Sequence, residues 1–263
     1  MMKVWILTFN RPQVLNRQIE TFGKLGYDVH IFSNHPQVGL TEENKQYIKE
    51  IVFNNLSDEE ANSYCARSWN NIFIKAFKDG TEECVFVQDD TWCRPEIGQL
   101  IEENKDKYDL IWGPAGDTFF YMKKKVLAEI GWFDERYLAC YCGDADFLKR
   151  AWLYYDRERL SIAETHDWGF FHNDIGIRNH ISWDLKSKCL DENYVNQHQE
   201  NEAKIGDSNY MLHHSQGHFK AKWGTPGNGI NGIGPISSYE EPPLIAEIDW
   251  YPWFTKKYLR GEA

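Results

Sequence analysis

Apolar residues in this chain fall into short unbroken runs and into longer stretches where they return every three or four positions. Val4-Trp5-Ile6-Leu7-Thr8-Phe9 is the first run, and Asn10-Arg11-Pro12 breaks it. Val14, Leu15, Ile19, Phe22 and Leu25 then follow a helical period, with Pro12 suited to the first turn and Gly26 to the stop. Val29-His30-Ile31-Phe32 and Ile51-Val52-Phe53 predict two further strands. Ser57-Asp58-Glu59-Glu60 has the pattern of a capped helix start, and Ala66, Trp69, Asn70, Phe73, Ala76 and Phe77 share one side of a helix ending at Gly80. Cys84-Val85-Phe86-Val87 is a buried-type strand running into Gln88-Asp89-Asp90. Strands follow at Tyr108-Asp109-Leu110-Ile111-Trp112 and Phe119-Phe120-Tyr121-Met122, then a helix through Val126, Leu127 and Ile130 to Gly131. A helix over residues 143–155 and a late strand at Leu160-Ser161-Ile162-Ala163 complete the series.

Strands that alternate with helices specify an α/β fold with a mainly parallel sheet, and such sheets bind ligands beyond the carboxyl ends of their strands. Near residue 180 the character changes to a polar, helix-like stretch around residues 194–212 and a Gly/Pro-rich run from Gly224 to Pro243. The expected organisation is an α/β domain over residues 1–180 and an irregular C-terminal extension over residues 181–263 packed on it, with no internal repeat.

Charge narrows the partners. The net charge is −11 and the longest basic cluster is Lys123-Lys124-Lys125, so nucleic acid is not an expected partner. An acidic chain can still hold a diphosphate when a divalent cation neutralises it, which directs attention to carboxylates. The six cysteines form no CxxC pair. The start lacks a signal-peptide pattern, and no stretch approaches the ~20 apolar residues of a membrane span. A cytoplasmic protein with reduced thiols is expected.

Four groups carry candidate chemistry. Asp89 and Asp90 follow a hydrophobic strand, where carboxylates project into the ligand crevice and suit a hard cation that also takes diphosphate oxygens. Neighbouring side chains of an extended chain point opposite ways, so Asp90 is the candidate metal ligand and Asp89 the candidate contact to sugar hydroxyls or a metal-bound water. A solvated acidic turn is the alternative. Asp144 sits at a predicted helix N-terminus, which keeps a carboxylate ionised and makes it a weak base; such a base suffices when the hydroxyl loses its proton late. Simple capping is the alternative there. His166 and His172 follow the late strand and offer imidazole to a Mn²⁺-like ion, or serve the core. Arg67 offers a guanidinium to a base or phosphate, or to a surface ion pair.

Taken in order, these segments resemble the large inverting GT-A family of glycosyltransferases over roughly residues 3–175. VWILTFNRP (residues 4–12) is similar to its opening strand and nucleotide loop, and ARSWN (66–70) to the helix before its metal strand. VFVQDD (85–90) resembles the family's DXD-type motif, FFYMKKKVLAEIGWFDE (119–135) the segment ending in FDE, CGDADFLKR (142–150) the segment with the catalytic base, and Phe171-His172 the aromatic-His pair. The resemblance implies a Rossmann-like GT-A fold and a nucleoside-diphosphate sugar as donor. It also implies a carbohydrate or glycoconjugate acceptor, and Mn²⁺ or Mg²⁺ as cofactor. It implies that Thr8, Phe9, Arg11, Asn34, Arg67 and Asp89 bind the nucleotide or donor. Asp90 would hold the metal, with His172 as a second ligand and His166 as its competitor. Asp144 would deprotonate the acceptor as the anomeric configuration inverts. Gln88 stands where the family often has an acid, Ser33-Asn34 where an acidic pair is usual, and Gly143 where an acid commonly precedes the base. The other readings are a retaining transferase or sugar-nucleotide hydrolase of this fold, and a non-catalytic carbohydrate-binding protein.

Overall fold

The computed structural model describes residues 2–54, 65–89, 91–93, 96–112, 118–138, 142–154, 160–162, 170–172 and 208–223. The capped helix start at 57–60, Asp90, His166 and the Gly/Pro-rich run fall outside them.

Five strands supply most of the sheet. They are β1 (Lys3–Thr8), β2 (Asp28–Ser33), β3 (Ile48–Phe53), β4 (Glu83–Gln88) and β7 (Phe119–Lys123). The apolar runs of four are largely buried, while the edge strand β3 stays partly exposed. Two three-residue strands, β6 (Leu110–Trp112) and β8 (Leu160–Ile162), extend it. The order is β3-β2-β1-β4-β7-β6-β8. Parallel pairing links β3, β2, β1 and β4, and β6 with β8, while β7 is antiparallel to both β4 and β6. Six strands therefore share one direction and β7 opposes them, the mixed and mainly parallel sheet that the pattern predicts. A separate ribbon pairs β5 (Thr91–Cys93) with β9 (Phe170–His172).

Period-two alternation sends successive side chains to opposite layers. Val4, Ile6, Val85 and Val87 enter one core with Leu15, Ile19 and Phe22 of α1 (Pro12–Lys24) and Ile97 and Ile101 of α4 (Glu96–Asn104). Trp5, Leu7, Cys84 and Phe86 enter the other core. There they meet Trp69 and Phe73 of α3 (Cys65–Phe77), Val126 of α5 (Lys125–Ile130) and Phe147 of α6 (Gly143–Tyr154). The short α2 (Glu42–Lys45) precedes β3. The result is a Rossmann-like three-layer α/β domain. Among the described residues most buried aromatics lie in the second core, where Phe86, Phe120 and Trp112 stack in series and Phe133 stacks on Phe147.

The helices α4 and α2 and the β5–β9 ribbon are not marked by the sequence pattern. A helix, α7, runs over Ser208–Trp223 and takes in the last residues of the predicted 194–212 stretch; the rest of that stretch lies outside the described residues. Among the described residues no helix is long and apolar enough to cross a membrane.

Candidate functional site

The chain leaves β1 toward β2 and β3 on one side and returns to β4 on the other, so the topological switch lies between β1 and β4. Ligands of open α/β sheets bind outside the carboxyl ends at that point. Asp89, immediately after β4, has its carboxylate there and is only 2% exposed. It accepts from the Thr8 hydroxyl at 2.6 Å, the Phe9 backbone N–H at 3.2 Å and Arg11 Nη1 at 3.3 Å. The carboxylate thus ties the loop after β1 to the end of β4, with Arg11 as its counter-ion. Asn10, inside that loop, has φ of 50°. Asn tolerates this left-handed conformation better than most residues, and it turns the chain into Pro12 and α1.

Two flanking groups complete this side of the edge. The Phe9 ring meets His35 edge to face at 5.7 Å. Asn34 is buried and locked: its amide donates to Ser68 Oγ at 2.9 Å, and its carbonyl oxygen accepts from Asn54 Nδ2 at 2.9 Å. Arg67, the residue before Ser68 in the first turn of α3, is exposed. Thr8, Phe9, Arg11, Asn34, Arg67 and Asp89 therefore gather where β1, β2 and β4 end. His35, Asn54 and Ser68 belong to the same cluster; sequence reading missed them because two polar loop residues and one helix serine show no period of their own.

Asp90 is outside the described residues, but its successor Thr91 pairs in register with His172 across the β5–β9 ribbon. The ribbon thus sets His172 opposite the residue that follows Asp90 in sequence. A carboxylate with an imidazole suits a Mn²⁺-like ion, with the remaining positions left for oxygen ligands from a phosphate or water. Among the described residues no group of three or more His, Cys, Asp or Glu could hold a metal on its own.

Asp144 is half-buried in the first turn of α6. One turn further on, Phe147 stacks on Trp112, the last residue of β6, at 5.6 Å. This stack sets the start of α6 at the carboxyl edge of β6, and only β7 separates β6 from β4. With neighbouring strands ~4.8 Å apart, the ends of β4 and β6 lie about 10 Å from each other. Cys142, two residues before Asp144, has φ of 64°, a conformation that costs a non-glycine residue about 1–3 kcal/mol. Its carbonyl accepts from the Asp146 N–H at 3.0 Å as the helix starts. Burial, with the charges of Asp144 and Asp146, pushes the Cys142 thiol up to about 12, so it stays protonated at neutral pH.

No family model matches the sequence, and no curated protein matches it. Among solved structures the chain is similar to HddC from Yersinia pseudotuberculosis, at 12% identity over 48% of this chain and 78% of that one, with a TM-score of 0.34. HddC complexed with GMP-PN aligns at 13% identity over 48% and 78% of the two chains, with a TM-score of 0.32. A candidate glucose-1-phosphate thymidylyltransferase from Bacillus anthracis, in complex with sucrose, aligns at 10% identity over 49% and 74%, with a TM-score of 0.38. What this chain does must come from the sheet edge itself.

The segment leading to Asp144 is held by charges around buried Asp134, a residue of the FDE segment to which the sequence assigned no role of its own. Asp134 takes a two-pronged contact from Arg136, at 2.7 and 2.6 Å, with His218 Nε2 and Lys222 Nζ each 3.2 Å away. Burial pushes its carboxyl up, but the hydrogen bonds from His218 and Arg136 and the charges of Lys222 and Arg136 outweigh this and hold it far below the ordinary 3.8. A depressed carboxyl contributes stability that is complete above the unfolded value and is lost as pH falls below it. Asp134→Asn is therefore expected to be less stable than the wild type at pH 7, with the gap closing as pH drops below about 4. Urea midpoints at both pH values check this; a constant gap would place the acid sensitivity elsewhere.

Proposed function

We propose that this chain is a metal-assisted glycosyltransferase of the GT-A type. It moves a sugar from a nucleoside diphosphate to a carbohydrate or glycoconjugate hydroxyl, with inversion. The observation that supports it best is the Thr8–Phe9–Arg11–Asp89 cluster at the β1/β4 switch point, with Asp144 at the same sheet edge two strands away. That separation leaves room for a diphosphate on one side and a reacting sugar on the other.

In this reading Phe9, beside His35, lines the nucleotide pocket, and Arg11 and Arg67 face the nucleotide and its phosphates. Asn34 shapes the base side through Ser68 and Asn54. Asp89 holds the loop that touches the donor. A divalent cation, Mn²⁺ or Mg²⁺, would offset the charge on the leaving diphosphate when held by Asp90 and His172. Asp144 takes the acceptor proton while the acceptor oxygen attacks the anomeric carbon from the face opposite the diphosphate. The new C–O bond forms as the bond to the diphosphate breaks, and the configuration inverts.

Incubation with UDP-, GDP- and dTDP-sugars, Mn²⁺ and a panel of sugar acceptors tests the proposal. Release of nucleoside diphosphate with an inverted glycoside is the expected result. Retention would select the double-displacement or front-face alternative, and release to water alone a hydrolase. Asp90→Ala is expected to weaken Mn²⁺-dependent donor binding at least tenfold by calorimetry, on the scale of a lost ligand contact. Equal Mn²⁺ titrations for the two proteins would move the metal site elsewhere.

A further inference from the structure

The C-terminal helix α7 reaches the segment of the candidate base through a network of largely buried charges. Lys222 Nζ lies 2.6 Å from Asp146 Oδ1 and 3.2 Å from Asp134 Oδ2, and its side chain is 3% exposed. Asp146 is wholly buried, two residues beyond Asp144 on α6, and its other oxygen takes Arg150 Nε at 3.0 Å. Arg150 in turn donates to the carbonyls of Ile130 and Trp132. Asp134, Asp146, Arg150 and Lys222 are thus linked by ion pairs across three segments distant in sequence. Ser215, two turns before Lys222, accepts from the Leu138 N–H at 3.0 Å and donates to its carbonyl at 3.3 Å. The same helix therefore grips the backbone just before α6 and the carboxylate inside α6's first two turns.

A surface ion pair would not need this arrangement. Asp146 and Lys222 are both removed from water, a placement that is costly for each ion and is retained only where partners are held in good geometry. The neighbouring Cys142 is in a left-handed conformation that a loosely held turn would relax. Both features fit a rigid mount for the start of α6.

We propose that Lys222 is a positioning residue, fixing the first turn of α6 and with it the carboxylate of Asp144 from outside the α/β domain. The kinetic part of this inference rests on the glycosyltransferase reading; the mechanical part does not.

Lys222→Met keeps the stem of the side chain and removes its charge. Site-resolved hydrogen exchange over residues 142–148 is expected to speed up about tenfold or more in this variant, while β1 and β4 stay protected. Cys142 alkylation, read by mass spectrometry, is expected to rise in parallel. Lys222→Arg is expected to restore most of the protection, and Lys220→Met, on the exposed side of α7, to change neither readout. If Lys222→Met fails to fold, Ser215→Ala asks the same question without stranding a charge. Unchanged exchange over 142–148 in the charge-removed or serine variant overturns the proposal, as does uniform loosening of the whole sheet. In turnover assays kcat is expected to fall about a hundredfold with donor KM near that of the wild type, the effect of a slightly misplaced reacting group. A rise in KM alone would also overturn it. Faster local exchange in a protein whose wild type transfers no sugar would instead contradict the glycosyltransferase reading and leave the mount intact.

Discussion

Asp144→Asn is expected to bind a nucleoside diphosphate as the wild type does and to transfer sugar about 10²–10⁴-fold more slowly, the usual contribution of a positioned proton acceptor. Asn matches the shape of Asp and can still sit in the first turn of α6, so the fold around Cys142 and Asp146 should survive. What it lacks is a lone pair basic enough to take the acceptor's proton. The loss is expected in kcat, because Asp144 lies by β6 and away from the Thr8–Asp89 cluster. Single-turnover transfer and calorimetric titration with the nucleoside diphosphate separate the two quantities. Full transfer would remove Asp144 from the mechanism, and a parallel loss of nucleotide binding would mean that it helps hold the donor.

Asp146→Ala is expected to be the most destabilising single change at this edge, by about 3–5 kcal/mol, the range for breaking a buried ion pair from one side. Asp146 faces Arg150 and Lys222, both buried, and accepts from the Tyr137 hydroxyl at 3.3 Å. Removing it takes a carboxylate partner from two buried cations in a low-dielectric pocket. By contrast Lys24 and Glu20 form an exposed pair one helical turn apart, and replacing either should change stability little. Chemical denaturation of both variants gives the comparison. Equal midpoints would mean that water reaches the Asp146 cluster and that it is not a structural mount.

The sheet was legible because its signal is local. A run such as Cys84-Val85-Phe86-Val87 is apolar on both faces, which only a strand covered on both sides requires, and Gly26, Gly80 and Gly131 all take the positive φ that stops a helix or turns a chain. The α4 helix escaped because its inward face is little more than Ile97, Gly98 and Ile101 within a charged stretch. Gly98 is small there because a Cβ would come within 3.2 Å of Leu25, where α1 ends. The β5–β9 ribbon escaped because three-residue strands far apart in sequence carry no period, yet it holds the register of Thr91 with His172.

At the candidate site, Thr8, Phe9, Asn34 and Asp89 came from the ends of predicted strands, where chemistry is concentrated in α/β folds, and Arg67 and Asp144 from the starts of helices. The residues missed were those whose meaning depends on a distant partner. Ser215 and Lys222 are polar positions on the inward face of α7, and their burial makes sense only beside Leu138, Asp134 and Asp146. Asp146 and Arg150, at i and i+4 in a helix that otherwise turns Phe147, Leu148 and Ala151 inward, were the one local sign of that network.

A crystal structure with Mn²⁺ and a nucleoside diphosphate tests the central claim most directly. The diphosphate is expected beyond the ends of β1 and β4, against Arg11 and the ion held by Asp90 and His172, with its free end toward Asp144. Nucleotide seated instead in the polar groove of about 370 Å³ between α1 and α2, lined by Asn16, Glu20 and Tyr47, would contradict it.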